Sequence, residues 1–128
     1  MGNGTPLGRV RGLGSAREGT HHWVLQRITG MGNLLSVGFL VASLLLLPDL
    51  SYATLREWIA GPIPATVMAL LVVSTFWHAR LGLQIMIEDY VHTPGNKTAV
   101  LLALNLAAIA GAAFGLFSIA RLALGGAA

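Results

Sequence analysis

The chain has 128 residues, of which 55% are hydrophobic and 10% are charged, and its mean hydropathy is +0.71. Ordinary soluble domains contain about 25% charged residues, so this composition excludes a soluble protein and indicates a membrane protein with about three spans of about 20 residues. Cysteine is absent from the sequence, which excludes disulfides, thiolate metal sites and iron–sulfur ligation by this chain.

The chain begins with a polar, basic tail over residues 1–22, rich in glycine and arginine and without hydrophobic periodicity. Residues 23–128 are predicted to form one membrane domain, and no room is left for a separate soluble domain. Any soluble catalytic part therefore belongs to another chain. The formal net charge is +3, but the arginines lie mostly near the ends of apolar runs. We interpret them as topology signals and predict no nucleic-acid partner.

Three apolar runs predict spanning helices over about residues 23–47, 64–90 and 97–124. The first run has Trp23 at its interfacial end and stops before Pro48. The linker 48–63 favours a short interfacial turn or helix around residues 55–59. The third run is dense in alanine and glycine, which suits close helix packing, and it contains a GxxxG pattern at Gly111 and Gly115. The predicted fold is an all-α membrane protein with three transmembrane helices.

Basic residues are distributed unequally between the two sides of the predicted membrane domain. One side has Arg9, Arg11, Arg17, Arg27 and Lys97, whereas the other has Arg56 and Arg121. Cytoplasmic segments carry the excess of lysine and arginine, so the five-to-two split predicts a cytoplasmic N-terminus. We expect a multi-pass protein of the bacterial inner membrane, or of the mitochondrial inner membrane with the equivalent orientation.

The second apolar run ends in the polar-containing stretch FWHARLGLQIMIEDYVH, residues 76–92. At 100° per residue, His78, Gly82, Ile85 and Asp89 fall on one stripe of a helix. His78 lies about 16 Å along the helix from Asp89, which places it near the middle of the membrane. Polar and ionisable residues at that depth are candidates for function, because burying them in hydrocarbon is unfavourable unless they have a partner.

Two motifs give the sequence a family resemblance. His78, Gly82, Asp89 and Tyr90 match the second helix of the hydrophobic membrane anchor subunits of succinate dehydrogenase (respiratory complex II), and HHWVLQRITG at residues 21–30 is similar to the approach to their first helix. The resemblance covers essentially the whole chain. It implies a helical bundle completed by a cytochrome b subunit, with an iron–sulfur subunit and a flavoprotein subunit docked on the inner face.

The resemblance implies that His78 is an axial ligand of haem b, shared with the cytochrome b subunit. The residues agree with this role, because His78 is the only one of the four histidines deep inside a predicted span. Gly82 would let the macrocycle approach the helix backbone. The alternative is a histidine that is hydrogen-bonded between helices, with Gly82 as a packing contact.

The resemblance also implies that Asp89 and Tyr90 belong to a ubiquinone site. A phenolic hydroxyl can donate a hydrogen bond to a quinone carbonyl oxygen and stabilise charge that develops there during reduction. A carboxylate can orient a neighbouring group or relay a proton. The alternative is a solvated end of the helix, since tyrosine is common at the membrane interface.

Arg80 and Arg27 each have more than one candidate role. Arg80 is turned about 200° from His78 on the helix, so it either reaches a haem propionate by extending its side chain or pairs with a partner subunit. Arg27 is a candidate for a propionate-binding or quinone-site charge, or it is a plain topology anchor.

The sequence therefore predicts a non-catalytic anchor subunit that contributes a haem b ligand and part of a ubiquinone-reduction site. Anchoring a fumarate reductase, which runs the reaction in reverse, is an alternative within the same class. A small membrane scaffold or transporter subunit without a cofactor is the alternative from a different class, although the three dissimilar helices lack the internal repeats typical of transporters.

Overall fold

The computed structural model describes residue 6 and residues 19–125. Within this part of the chain, four helices follow one another: α1 (Gly19–Leu46), α2 (Tyr52–Ala60), α3 (Pro62–Tyr90) and α4 (Pro94–Ala123). Helices α1, α3 and α4 are each long and apolar enough to cross a membrane. The predicted all-α membrane protein with three spans is confirmed.

The observed helix ends differ from the predicted ones by a few residues. Helix α1 begins at Gly19, before Trp23, so His21 and His22 are helical. Helices α3 and α4 each begin with a proline, at Pro62 and Pro94, earlier than predicted. Proline is favoured in the first helical turn because the N–H that it lacks would have no partner there. The rest of the predicted tail 1–22, apart from residue 6, lies outside the described residues.

The linker after α1 contains a helix, as the sequence suggested. Ser51 caps α2 by accepting a hydrogen bond from the backbone N–H of Thr54. The Asp49 carboxylate accepts hydrogen bonds from Ser51 and Thr54, and these bonds lower the pKa of Asp49 to about 2. The carboxylate is therefore ionised at physiological pH. The Trp58 ring stacks on Phe39 of α1 with 6.4 Å between ring centroids, while the backbone of α2 packs against α3 and α4.

Helix α3 is the middle of the three spans. It packs against α1 on one side and α4 on the other, and within the described residues α1 and α4 do not pack against each other. The three spans therefore form an open layer. In the described part of the chain, Ile59 and Leu81 are the only buried apolar side chains, and Ser36 is the only buried polar one. Most of the apolar surface is left for lipid or for other chains.

Small and hydroxylated residues bring α1 close to α3. The Ser74 hydroxyl donates a hydrogen bond to the Thr29 carbonyl oxygen at 2.8 Å. A Cβ atom added to Gly32 would lie 2.9 Å from the Ser74 Oγ, so only glycine fits there unless Ser74 shifts. Thr75, the residue after Ser74, donates to the side-chain oxygen of Asn33, the residue after Gly32, at 3.2 Å. These bonds fix the register of the two helices near the middle of the membrane.

The GxxxG pattern of the third span lies at the α3–α4 contact. A Cβ atom on Gly111 would collide with the Phe76 ring, and one on Gly115 would lie 2.7 Å from a methyl carbon of Val72. The two glycines therefore form a flat strip on α4 that receives side chains of α3.

Replacing Gly111 by leucine is expected to lower the thermal unfolding midpoint of the purified protein. The new side chain would occupy the position of the Phe76 ring, and overpacking of this kind destabilises a protein by about 1–3 kcal/mol. Ala110→Leu is the matched control, because Ala110 is exposed on the same helix. Equal midpoints for the two variants, measured in one detergent, would show that the glycine strip does not determine this contact.

Candidate functional site

His78 lies near the middle of the 29-residue helix α3 and is half-buried against α1. Its Nδ1 atom is 3.1 Å from the Thr29 hydroxyl oxygen, and its Nε2 atom is 3.5 Å from the side-chain nitrogen of Gln26. Both neighbours are on α1, one turn apart. The imidazole ring is therefore held between the two helices at mid-membrane depth.

The hydrogen bonds of Thr29 decide which nitrogen of His78 carries the proton. The Thr29 hydroxyl donates to the Leu25 carbonyl oxygen at 2.8 Å, so its single proton is used within α1. The hydroxyl oxygen is then available to accept from the His78 ring, which assigns the proton of a neutral imidazole to Nδ1. Nε2 keeps its lone pair, to which the Gln26 amide donates at the long distance of 3.5 Å.

Two glycines shape the surroundings of the His78 ring. A Cβ atom on Gly30 would lie 3.4 Å from the ring carbon Cε1, so the ring lies next to the part of α1 that this glycine leaves without a side chain. Gly82 is one turn along α3. A Cβ atom added to Gly82 would have the Gln26 side-chain nitrogen as its nearest neighbour, at 3.7 Å. The absence of a side chain at Gly82 leaves space beside the Nε2 end of the ring.

A polar cavity of about 560 Å³ opens between the N-terminal part of α1 and the second half of α3. Its lining includes several polar or charged side chains: His21, His22, Arg80, Gln84 and Glu88. The His22 Nε2 atom and the Gln26 Oε1 atom are buried and have no hydrogen-bond partner within the described residues. Buried polar atoms of this kind indicate that another group completes the hydrogen bonding of the region.

Arg80 lies on the opposite side of α3 from His78 and is half-buried. Its Nε–H donates a hydrogen bond to the side-chain oxygen of Asn105 on α4. Arg80 also borders both the polar cavity and an apolar cavity of about 590 Å³ between α3 and α4. Asn105 therefore satisfies one donor of the guanidinium, and the remaining donors lie next to both cavities.

Asp89 and Tyr90 lie at the C-terminal end of α3, and both are exposed, Tyr90 by 78%. In the described part of the chain, neither side chain makes a hydrogen bond. Their neighbour Glu88 is engaged, since its carboxylate accepts from Gln84 and its carbonyl oxygen accepts from Lys97. The end of α3 is thus fixed by Glu88, while Asp89 and Tyr90 are free to contact other molecules.

Arg27 is exposed on α1, and its guanidinium lies 5.0 Å from the centroid of the Trp23 ring. This geometry is a cation–π contact between residues one helical turn apart. Arg27 does not border the cavity that contains His21 and His22. The structure therefore brings His78 and Gly82 together with residues of α1, and it places Arg27, Arg80 and the Asp89–Tyr90 pair in three other locations.

Comparison with known proteins decides the family. The family model described as the succinate dehydrogenase/fumarate reductase transmembrane subunit matches residues 1–113. The chain belongs to this family. The resemblance to succinate dehydrogenase membrane anchors that the sequence motifs indicated is confirmed.

Several similar proteins are named succinate dehydrogenase hydrophobic membrane anchor subunit. The protein of Paracoccus denitrificans is 34% identical over 124 residues, which cover 94% of this chain and 93% of the relative. The protein of Rickettsia bellii (strain RML369-C) is 30% identical over 101 residues, or 79% and 81% of the two chains. The protein of Rickettsia conorii is 32% identical over 84 residues, or 65% and 67%.

Sequence reasoning about this succinate dehydrogenase/fumarate reductase family member did not foresee the partners of two site residues. Thr29 was part of a motif, but its contact with His78 was not predicted. Asn105 is a polar residue in an apolar span, and its bond to Arg80 was not predicted either. One signal in the sequence could have indicated both contacts. Polar residues at similar depth in neighbouring membrane helices pair with one another.

Proposed function

We propose that this chain anchors the catalytic subunits of a succinate dehydrogenase at the inner face of the membrane, supplies one axial ligand to haem b, and forms part of the ubiquinone-reduction site. The observation that best supports the proposal is the position of His78 and its hydrogen bond to Thr29. This histidine lies at mid-membrane, and its Nδ1–H bond to Thr29 leaves a lone pair on Nε2. A neutral imidazole in that form is the usual histidine ligand of a metal.

The residues around His78 fit a haem. Gly30 leaves the α1 surface beside the ring without a side chain, Gly82 does the same one turn along α3, and the long Gln26 contact on Nε2 is weak enough to be replaced. His21, His22 and His92 lie at or beyond helix ends, so a second axial histidine would come from the cytochrome b subunit. When bound, haem b supplies a one-electron redox centre. The part of this chain is to hold the ligating nitrogen in place.

Charged groups of this chain would also bind the haem propionates. Arg80 lies next to the polar cavity with guanidinium donors to spare, and a propionate there is a suitable partner. Arg27 is a second candidate, although its contact with Trp23 points to an interfacial position. The unpaired His22 Nε2 and Gln26 Oε1 atoms further support the binding of a polar group in this region.

The quinone part of the proposal depends on the exposed end of α3. The Tyr90 hydroxyl would donate a hydrogen bond to a ubiquinone carbonyl oxygen, which stabilises negative charge as electrons from succinate arrive. Asp89 would orient a neighbouring group or pass on a proton. Since both side chains are exposed, the remaining walls of such a site would come from the cytochrome b and iron–sulfur subunits.

The open layer of helices supports assembly into a heteromeric bundle. Helices α1 and α4 do not pack against each other in the described residues, and large apolar side chains are exposed along all three spans. A cytochrome b subunit would cover one face, and lipid would cover the rest. The iron–sulfur and flavoprotein subunits would dock on the side of Tyr90.

Two other functions are distinguishable by experiment. A fumarate reductase anchor belongs to the same family, but the similar proteins named above are succinate dehydrogenase subunits. A scaffold without a cofactor would give no haem signal. The test is the visible absorption spectrum of the purified complex: a Soret band and a dithionite-dependent α-band are expected, whereas an intact complex without either would refute the haem ligand.

The orientation is tested with single cysteines, which is possible because the natural chain has none. Leu50→Cys lies between α1 and α2, and Asn96→Cys lies near the start of α4 at the other end of the layer. With a cytoplasmic N-terminus, an impermeant maleimide should label only Leu50→Cys in intact right-side-out spheroplasts and both variants after lysis. Labelling of Asn96→Cys alone in intact cells would reverse the orientation.

A further inference from the structure

The Thr29 side chain is in direct contact with His78, the candidate haem ligand. It lies in the apolar part of α1, half-buried, and its hydroxyl oxygen is 3.1 Å from His78 Nδ1. A hydroxyl group has one proton to donate and two lone pairs to accept with. Its effect on His78 therefore depends on where its proton goes.

Three hydrogen bonds fix Thr29 in one arrangement. The hydroxyl donates to the Leu25 carbonyl oxygen at 2.8 Å, and the Gln26 carbonyl oxygen is 3.2 Å away. The Thr29 carbonyl oxygen accepts from the Ser74 hydroxyl, and Ser74 is one turn before His78 on α3. The same helix that presents the imidazole thus also holds the backbone of the residue that the imidazole contacts.

We infer that Thr29 is a positioning residue for the haem ligand, an inference that rests on the proposed function. Its hydroxyl oxygen accepts the Nδ1–H of His78, which fixes the tautomer with the lone pair on Nε2 and fixes the rotation of the ring. An imidazole that donates from its other nitrogen is a stronger base toward the metal. Such a ligand stabilises the ferric state over the ferrous state and lowers the haem midpoint potential.

The neighbouring residues agree with this role. Gly30, the next residue along α1, has no Cβ atom, and one added there would lie 3.4 Å from the ring carbon Cε1, so a side chain at this position would crowd the ring. The Gln26 amide is the only other hydrogen-bond partner of the ring in the described residues, and it faces Nε2 at 3.5 Å. Among the residues that the structure describes, Thr29 is therefore the one hydrogen-bond partner of Nδ1, the nitrogen that would not bind iron.

The test compares three variants in the assembled complex. Thr29→Val keeps the shape of the side chain and removes the hydroxyl, Thr29→Ser keeps the hydroxyl, and Thr75→Val removes the neighbouring α1–α3 hydrogen bond to Asn33 without touching Thr29 or the ring. The readouts are the haem midpoint potential and the electron paramagnetic resonance signal of the low-spin ferric haem. If Thr29→Val does not assemble, Thr29→Ala takes its place under the same criteria.

We expect Thr29→Val to raise the midpoint potential, with the equilibrium constant for haem reduction increased about tenfold, which is about 59 mV for a one-electron couple. Thr29→Ser should keep the wild-type potential and signal, and so should Thr75→Val. An unchanged potential and signal in Thr29→Val would overturn the inference, as would an equal shift in Thr75→Val. Failure of the proposed function looks different, because the wild-type complex would then contain no haem, or His78 variants would retain it.

Discussion

His78→Ala is expected to abolish the low-spin haem spectrum of the complex. The variant removes the only histidine of this chain that lies at mid-membrane, and the other three are found at or beyond helix ends. A bis-histidine haem needs both imidazoles, and alanine offers no lone pair to iron. The reduced-minus-oxidised difference spectrum of purified complex measures the loss directly, with bound flavin as the measure of assembled protein.

His92→Ala is the matched control for this prediction. His92 is exposed just after α3, so its removal should leave the haem spectrum at the wild-type intensity per flavin. Should assembled His78→Ala show an unchanged bis-histidine spectrum, the axial ligand would have to come from elsewhere. His78 would then be a histidine that only joins α1 to α3.

Tyr90→Phe is expected to slow quinone reduction while leaving assembly intact. The variant keeps the aromatic ring at the membrane interface and removes only the hydroxyl, which is exposed and has no partner in the described residues. If that hydroxyl bonds a quinone oxygen, its loss removes about 1–3 kcal/mol of transition-state stabilisation, or roughly 5- to 150-fold in rate. The measurement is the succinate:ubiquinone activity of a membrane preparation.

A second activity in the same preparation separates this effect from damage to the complex. Soluble dyes can take electrons from the extrinsic subunits, so succinate oxidation by a dye should stay normal in Tyr90→Phe. Tyr52→Phe provides a control for loss of an exposed phenol, since Tyr52 begins α2 at the opposite end of the layer. A wild-type ratio of quinone to dye activity in Tyr90→Phe would make Tyr90 an interfacial anchor and remove it from the quinone site.

The relative positions of residues on one helix could be predicted from the sequence. The alignment of His78 with Gly82, and their distance from Asp89 and Tyr90, follow from the fixed rise and turn of an α-helix. The three spans were equally predictable, because a membrane requires long apolar helices whose backbone polar groups are satisfied internally. The end of α1 could be predicted from Pro48 and from the end of its apolar run alone.

Contacts between helices could not be predicted in this way. The Thr29–His78 bond joins residues 49 positions apart, and the Arg80–Asn105 bond joins residues 25 apart. A sequence period gives the face on which a residue lies but not the rotation and sliding of a second helix against it. Those two quantities are set by the packing of Gly32 on Ser74 and of Gly111 on Phe76, where a single added carbon would collide with a side chain of α3. The sequence by itself therefore determined the class, the three spans and the candidate ligand, whereas only the tertiary structure decided that Nδ1 of His78 contacts Thr29 and that Arg80 bonds to α4.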